Sequence, residues 1–132
     1  MVDDDDVDAE MVIRGFRKSR IGNEITHAED GLQALEILRK NGEEAYRKPF
    51  IVLLDLNMPR MNGFDFLDEL RNDEVLHDTI IFVLTTSKAD VDRARSYAKN
   101  VAGYIVKSDV GPSFKSAVEL LQGYWTTVTL PE

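Results

Sequence analysis

Polar side chains follow the apolar runs of this sequence at the point where each run ends. The stretch FIVLLDL is apolar for five residues and then places Asp55. In the same way, Thr85 follows IIFVL, Lys107 follows GYIV, and Asp3 and Asp4 follow the short start MV. If these runs are parallel strands, their carboxyl ends meet at one edge of a sheet, where the functional groups of open α/β folds collect. The sequence therefore predicts one site that holds three carboxylates, a hydroxyl and an ammonium group.

These residue types indicate phosphoryl chemistry. Three carboxylates in one place repel each other unless a cation lies between them. Mg²⁺ suits such a site, because it prefers oxygen ligands and commonly uses one or two carboxylates beside a phosphate. A carboxylate can also be the nucleophile of phosphoryl transfer and form an aspartyl phosphate. We therefore predict that Asp55 accepts a phosphoryl group, whose oxygens are stabilised by Mg²⁺, Lys107 and Thr85.

Strand-like runs must position these groups. They lie at 24–28, 50–56, 80–86 and 103–107, and the second and third are apolar almost throughout. Continuous apolarity predicts strands that are buried on both faces, as in parallel sheets. Because segments with helical periodicity alternate with these runs, we predict a doubly wound α/β domain whose sheet carries helices on both sides.

Five segments have an apolar stripe with helical spacing. The stripe residues are Val7, Met11 and Phe16; Leu32, Leu35 and Leu38; Phe64, Leu67 and Leu70; Val91, Ala94, Ala98 and Val101; and Phe114, Val118 and Leu121. Capping signals support the boundaries. Asp30 with Gln33 is typical of a capping box that opens the second helix, residues 41–42 (Asn-Gly) close that helix, and residues 109–112 introduce the last one.

Composition limits the class of protein. The chain has 132 residues, enough for one domain, and no cysteine, which excludes disulfides and thiolate metal sites. Its 16 basic and 24 acidic residues give a net charge of −8, which repels nucleic acids and anionic membrane surfaces. No apolar run approaches the roughly 18 residues of a membrane span. We expect a cytoplasmic protein that binds neither nucleic acid nor membranes.

The motifs that carry the polar groups resemble those of CheY-like receiver domains of two-component response regulators. The matching pieces are VDDD (2–5), AEDG (28–31), LLDLNMPRMNG (53–63), VLTTS (83–87) and GYIVK (103–107). The resemblance covers nearly the whole chain. It implies a flavodoxin-like fold with a five-stranded parallel sheet in the order 2-1-3-4-5.

The resemblance also implies roles for individual residues. Asp55 would be the phosphoacceptor. Asp4, Asp55 and the backbone carbonyl of Asn57 would bind Mg²⁺ directly, while Asp3 would act through a water molecule. Lys107 would pair with the phosphoryl group.

A switch and a signalling role follow from the same resemblance. Thr85 would be the switch hydroxyl, and Tyr104 the aromatic residue whose rotamer reports phosphorylation. Members of the family take the phosphoryl group from a histidine kinase in a phosphorelay, and they are signalling proteins rather than enzymes. The receiver domain would span residues 1–124 and a tail residues 125–132. With no output domain in the sequence, we expect the signal to pass by protein–protein contact to a downstream partner.

A narrower resemblance is to stand-alone response regulators that partner bacterial phytochromes. It rests on the long connection at 41–49, on VLTTSKAD (83–90) and on the terminal LLQGYWTTVTLPE (120–132). In that group the carboxy-terminal aromatic extension takes part in homodimer contacts. The resemblance therefore implies a dimer contact for Tyr124 and Trp125.

Two features depart from the family pattern. Ser108 stands where the family commonly has a proline after the lysine, in a cis peptide bond. We expect a trans Lys107–Ser108 bond, because a non-proline cis bond costs roughly 2.5 to 4 kcal/mol. Only Met1 and Val2 precede Asp3, whereas a strand has about 5 to 6 residues. We therefore expect a truncated first strand, with either a native start upstream or completion by another chain.

Other interpretations stay open at this stage. A receiver-like module could act without phosphorylation. An aspartate-nucleophile phosphatase is less favoured, because Asn57 stands where such enzymes need a general acid. Acidic residues 3–6 alone are typical of a solvated segment. Asp5, Asp6 and Asp8 fit the ordinary role of acids in the first turn of a helix.

Overall fold

The computed structural model describes residues 1–19, 23–40 and 49–131. Within these residues, the chain forms five α-helices and three β-strands. Their bounds, in chain order, are α1 (Asp6–Lys18), α2 (Gly31–Leu38), β1 (Ile51–Leu54), α3 (Gly63–Arg71), β2 (Ile80–Thr85), α4 (Asp90–Ala98), β3 (Gly103–Val106) and α5 (Lys115–Thr127). Two 3-10 turns, Lys107–Asp109 and Pro112–Phe114, connect β3 to α5. The five predicted helices are confirmed.

The three strands form a parallel sheet in the order β1-β2-β3. Leu54 pairs with Val83, and Val83 pairs with Tyr104, so the carboxyl ends of the strands lie at one edge. Beyond β1, Val2 forms single-residue parallel bridges with both Leu54 and Ala28. The spatial order Ala28, Val2, Leu54 is the order predicted for the first three strands.

Five full strands are not found in the described residues. In place of the strand predicted at 24–28, the chain has no regular structure before Ala28, which forms a single bridge. A ladder extends only as far as both of its strands pair, and in the neighbouring segment only Val2 forms bridges, flanked by backbone hydrogen bonds of Met1 and Asp3 to Ala28. The first strand is therefore reduced to one bridged residue.

Both faces of the sheet are covered, which explains why the strand sequences are so apolar. Side chains alternate between the two faces along a strand. Leu54 and Val83 belong to a core cluster that includes residues of α2 and α3, whereas Leu53 and Phe82 belong to a second cluster with residues of α1 and α5. The predicted arrangement of helices on both sides of a parallel sheet is confirmed.

Helix faces are predicted less well than helix positions. Val7 of α1 is 63% exposed and Val91 of α4 is 71% exposed, although both belong to predicted apolar stripes. The buried residues of these two helices are Val12 and the small residues Ala9 and Ser96. Small side chains let a helix approach the sheet closely, and a pattern of large apolar residues does not register them.

Aspartate side chains cap the N-termini of α1 and α2. Asp5 caps α1 by accepting hydrogen bonds from two backbone N–H groups. The Asp30 carboxylate accepts from the N–H of Gln33 at 2.9 Å, and the Gln33 side chain accepts from the N–H of Glu29 at 2.6 Å. The predicted capping box is therefore present, with its return bond displaced by one residue. The predicted end of α2 at 41–42 lies outside the described residues.

The last helix extends beyond the predicted domain boundary. α5 runs to Thr127, which is inside the segment 125–132 that the sequence analysis assigns to a tail. The division into domain and tail stays a prediction. Among the residues that the structure describes, no helix is long and apolar enough to cross a membrane.

Candidate functional site

Asp55 directly follows β1 and is only 7% exposed. Its backbone N–H donates to the carbonyl oxygen of Val2 at 2.9 Å, so backbone pairing continues one residue past the strand. Its side-chain atom Oδ1 is buried and has no hydrogen-bond partner in the described part of the chain. A buried carboxylate oxygen without a donor is unfavourable. This atom is therefore suited to receive a cation or a reacting group.

Asp3 and Asp4 lie beside Asp55. The N–H of Asp3 donates to the carbonyl oxygen of Ala28 at 3.0 Å, which fixes the backbone next to the Val2 bridge. Asp3 is fully buried and Asp4 is exposed. The three aspartates each offer a carboxylate oxygen, and these oxygens lie within 4.8 Å of one another. A set of three hard oxygen donors with one solvent-facing member fits a small divalent ion such as Mg²⁺, which keeps several water ligands.

Lys107 lies among the same carboxylates. It follows β3 and is 8% exposed. Its Nζ atom donates to Asp3 Oδ2 at 2.9 Å and to Asp8 Oδ2 at 2.7 Å, and it lies 3.5 Å from Asp55 Oδ2. Burial lowers the pKa of Lys107, but the hydrogen bonds to Asp8 and Asp3 outweigh it, so the pKa is raised above its usual value. The predicted proximity of the lysine to Asp55 is observed.

Asp8 is a member of this cluster that the sequence analysis missed. The sequence predicts for it the ordinary role of an acid in the first helical turn, together with Asp5 and Asp6. Asp5 does have such a role as the cap of α1, but Asp8 binds Lys107. The available signal was its position three residues after the cap, where an acidic side chain reaches back over the start of the helix.

The buried carboxylate of Asp3 has a raised pKa. Burial raises its pKa to about 6, although hydrogen bonds from Lys107 and from the N–H of Asp5 act in the opposite direction. The negative charge of Asp55 is a second, smaller cause of this raised pKa. Asp3, Asp8 and Asp55 thus share one ammonium group, and a second cation would favour the ionised form of Asp3.

Thr85 and Tyr104, the predicted switch residues, meet at Ser87. Thr85 ends β2 and is fully buried, and its hydroxyl accepts from the N–H of Ser87 at 3.4 Å. The Tyr104 hydroxyl donates to the carbonyl oxygen of Ser87 at 3.0 Å. The Ser87 hydroxyl in turn donates to Asp92 of α4 at 2.6 Å. One loop residue therefore connects both predicted switch side chains to α4.

Arg60 connects the loop after Asp55 to α2. It binds the carboxylate of Asp30 by an ion pair, with Nε at 2.7 Å from Oδ2. Burial raises the pKa of Asp30, but the hydrogen bonds from Gln33 and Arg60 outweigh it, so the pKa is below its ordinary value. The sequence pattern predicts only a capping role for Asp30, because nothing in the sequence pairs it with a residue thirty positions away.

The other residues with predicted roles are Asn57, Tyr124 and Trp125, and they differ in exposure and contacts. Asn57 is exposed, and its role as a carbonyl ligand stays a prediction. The Tyr124 ring packs edge-on against Phe82 with 4.9 Å between centroids and is partly buried, and its dimer contact stays a prediction. Trp125 is half-buried. Next to the site, His27 Nε2 lies 2.7 Å from the carbonyl oxygen of Asp3 and must donate to it, so this histidine supports the backbone of Asp3.

Comparison with known proteins identifies the family. Residues 1–119 match the sequence model of the response regulator receiver domain. The chain belongs to this family. Its relatives include the response regulator Rcp1 of Synechocystis sp., which is 34% identical over 133 residues covering 99% of this chain and 90% of Rcp1. The probable methanogenesis regulatory protein FilR2 of Methanothrix harundinacea is 32% identical over 125 residues, covering 95% of this chain and 81% of FilR2.

Solved structures agree with this assignment. The phosphorylated cyanobacterial phytochrome response regulator RcpA has a TM-score of 0.87 and 31% identity, covering 99% of this chain and 95% of RcpA. The Mn(2+)-bound form of Rcp1 has a TM-score of 0.86 and 34% identity, covering 99% of this chain and 96% of Rcp1. This receiver domain therefore has the α/β flavodoxin-like fold with a parallel sheet. It is a response regulator of the CheY-like class, which signals by accepting a phosphoryl group.

Proposed function

We propose that this receiver domain is a Mg²⁺-dependent switch that takes a phosphoryl group from a histidine kinase onto Asp55. One observation carries the proposal: the buried Asp55 carboxylate has an unpartnered oxygen, shares with Asp3 and Asp4 a group of oxygens that could hold an ion, and lies 3.5 Å from the ammonium group of Lys107. An anionic nucleophile with cationic groups beside it is what phosphoryl transfer to a carboxylate requires.

The proposed reaction joins an Asp55 oxygen to phosphorus. The bond from phosphorus to the imidazole nitrogen of the kinase breaks, and its electron pair stays on that nitrogen. Asp4, Asp55 and the carbonyl oxygen of Asn57 would hold Mg²⁺, with Asp3 acting through water, and the ion would neutralise charge on the phosphoryl oxygens. Lys107 would exchange a carboxylate partner for a phosphoryl oxygen, and the Thr85 hydroxyl would donate to another.

The proposed signal begins in the loop that follows Thr85. If the Thr85 hydroxyl turns toward the phosphoryl group, it leaves the N–H of Ser87, whose carbonyl oxygen binds Tyr104. Tyr104 would respond by changing its rotamer. The Ser87 hydroxyl would carry the change to Asp92 and thus to α4. Phosphorylation would bias this loop between two arrangements, and a downstream protein would bind one of them.

The proposed partners follow from the relatives. RcpA is described as a phytochrome response regulator, which supports a phytochrome-type histidine kinase as the phosphoryl donor here. We also propose a homodimer contact at Trp125, which is half-buried within its own chain.

Signalling rather than phosphatase activity is favoured because Asn57, two residues after Asp55, cannot act as an acid. The double bridge of Val2 supports the five-position strand order 2-1-3-4-5.

Incubation with acetyl phosphate tests the proposal. We expect intact-mass measurement to show one added phosphoryl group with Mg²⁺ and none with EDTA. Asp55→Asn should abolish the addition, whereas Asp6→Asn, an exposed acid of α1, should leave it unchanged. Persistent labelling of Asp55→Asn would discard Asp55 as the acceptor. Absence of labelling in all conditions would favour an interaction module that acts without phosphorylation.

A further inference from the structure

Asp8 binds the lysine of the site but is not one of the aspartates that could hold the metal ion. Its Oδ2 atom lies 2.7 Å from Lys107 Nζ, which is shorter than the 2.9 Å to Asp3 and the 3.5 Å to Asp55. The group of carboxylates that could share an ion comprises Asp3, Asp4 and Asp55. Asp8 therefore interacts with the site through the lysine.

The hydrogen bonds of Lys107 determine where its ammonium group lies relative to Asp55. An ammonium group has three donors. Two of them make short hydrogen bonds, to Asp3 and Asp8, while the nearest oxygen of Asp55 is 3.5 Å away. Both short bonds therefore draw the ammonium group toward α1 and the start of the chain, and Asp55 receives only its electrostatic attraction.

We propose that Asp8 is the resting partner of Lys107, a positioning residue that competes with the phosphoryl group for the lysine. This inference rests on the proposed function and concerns the regulation of the same site. A phosphoryl group on Asp55 would draw on the third donor of Lys107 against the pull of the two short bonds, so it competes with Asp3 and Asp8 for the position of the ammonium group. Asp3 belongs to the group of carboxylates that could hold the metal ion, whereas Asp8 lies outside that group and interacts with the site through this lysine. Asp8 is thus the partner that Lys107 leaves.

The competition has a measurable consequence. Removing the Asp8 charge should free Lys107 in the resting protein and strengthen its pairing with a bound phosphoryl group. The affinity for a phosphoryl analogue should rise, although the variant loses a favourable contact. A residue that merely supported the fold, or that held the lysine in place for the phosphoryl group, would give no change or a loss of affinity.

The test is equilibrium binding of beryllofluoride, a phosphoryl analogue, to the whole chain in saturating Mg²⁺, measured by ¹⁹F NMR or calorimetry. We expect Asp8→Asn to raise the affinity by about tenfold, the scale of one charge-assisted hydrogen bond. The matched control is Asp6→Asn, which removes the same charge from an exposed position on the same helical turn. It should change the affinity by less than about twofold, since exposed charges are screened. Asp8→Glu keeps the charge and should stay within about twofold of the original protein.

Each outcome decides between the alternatives. An Asp8→Asn affinity equal to that of Asp6→Asn, or below that of the original protein, overturns the competition. If the original protein binds beryllofluoride but Asp8→Asn behaves in this way, only this inference fails. If the original protein does not bind beryllofluoride in Mg²⁺, the proposed function fails, and the inference fails with it.

Discussion

Lys107 is bound more closely to Asp3 than to Asp55. The distance from Nζ to Oδ2 is 2.9 Å for Asp3 and 3.5 Å for Asp55. Asp3 is fully buried, so the lysine neutralises the carboxylate that has the least access to water. The charge of Asp3 is therefore costly in the absence of a metal ion, and it links the stability of the protein to pH.

The metal-free protein should lose stability through Asp3 as pH rises from about 4 to about 6. Burial raises the pKa of Asp3 from its ordinary value of 3.8 to about 6. Between these values the folded state holds a proton that the unfolded state has released, so the free energy of unfolding decreases with rising pH. Urea unfolding in EDTA at several pH values measures the effect. Asp3→Asn should lack this component, and identical pH profiles for both proteins would contradict the assignment.

Gly63 is expected to tolerate no side chain. A Cβ atom there would lie 2.6 Å from the carbonyl oxygen of Asp55 and 2.7 Å from the Cα atom of Leu56. Because both are backbone atoms, Gly63→Ala should lower the free energy of unfolding by about 2 to 3 kcal/mol and displace Asp55. Gly123→Ala is the control, since its Cβ meets nothing within 4 Å. It should raise the free energy of unfolding by about 0.5 to 1 kcal/mol. Equal effects of the two substitutions in urea unfolding would refute the close approach.

Substitutions of Tyr124 and Trp125 should have different effects, the first on the stability of the fold and the second on self-association. Tyr124 packs edge-on against Phe82, so Tyr124→Ala should lower the free energy of unfolding by about 2 to 3 kcal/mol. Trp125→Ala should cost about 1 kcal/mol or less and should weaken the dimer in sedimentation equilibrium. An unchanged mass distribution for Trp125→Ala would remove this residue from the proposed interface.

Much of the site was predictable because it depends on strand ends. The apolar run before Asp55 had to be buried on both faces, and Leu54 and Val83 are indeed fully buried on the sheet. Parallel strands then bring Asp55 and Lys107 to the same edge without any knowledge of the loops. The positions of the helices were predictable for a different reason. Capping residues such as Asp30 bind backbone groups only a few residues away, so the sequence alone indicates them.

Contacts set by the docking of whole helices were not predictable. Asp5, Asp6 and Asp8 look alike in the sequence, and only the orientation of α1 against β3 decides that Asp8 meets Lys107. The exposure of Val91 has the same origin, because the side of α4 that faces the sheet carries a serine rather than a large apolar residue. Helical periodicity predicts which residues share one face of a helix, but it does not predict how the helix is rotated about its axis when it packs on the sheet.

The position of the phosphoryl group tests the central claim most directly. Borohydride reduces an aspartyl phosphate to homoserine, and peptide mass mapping then identifies the modified residue. After treatment with acetyl phosphate and Mg²⁺, we predict homoserine at Asp55 and unmodified aspartate at Asp3, Asp4 and Asp8. Homoserine at any of those three positions, with Asp55 intact, would contradict the account.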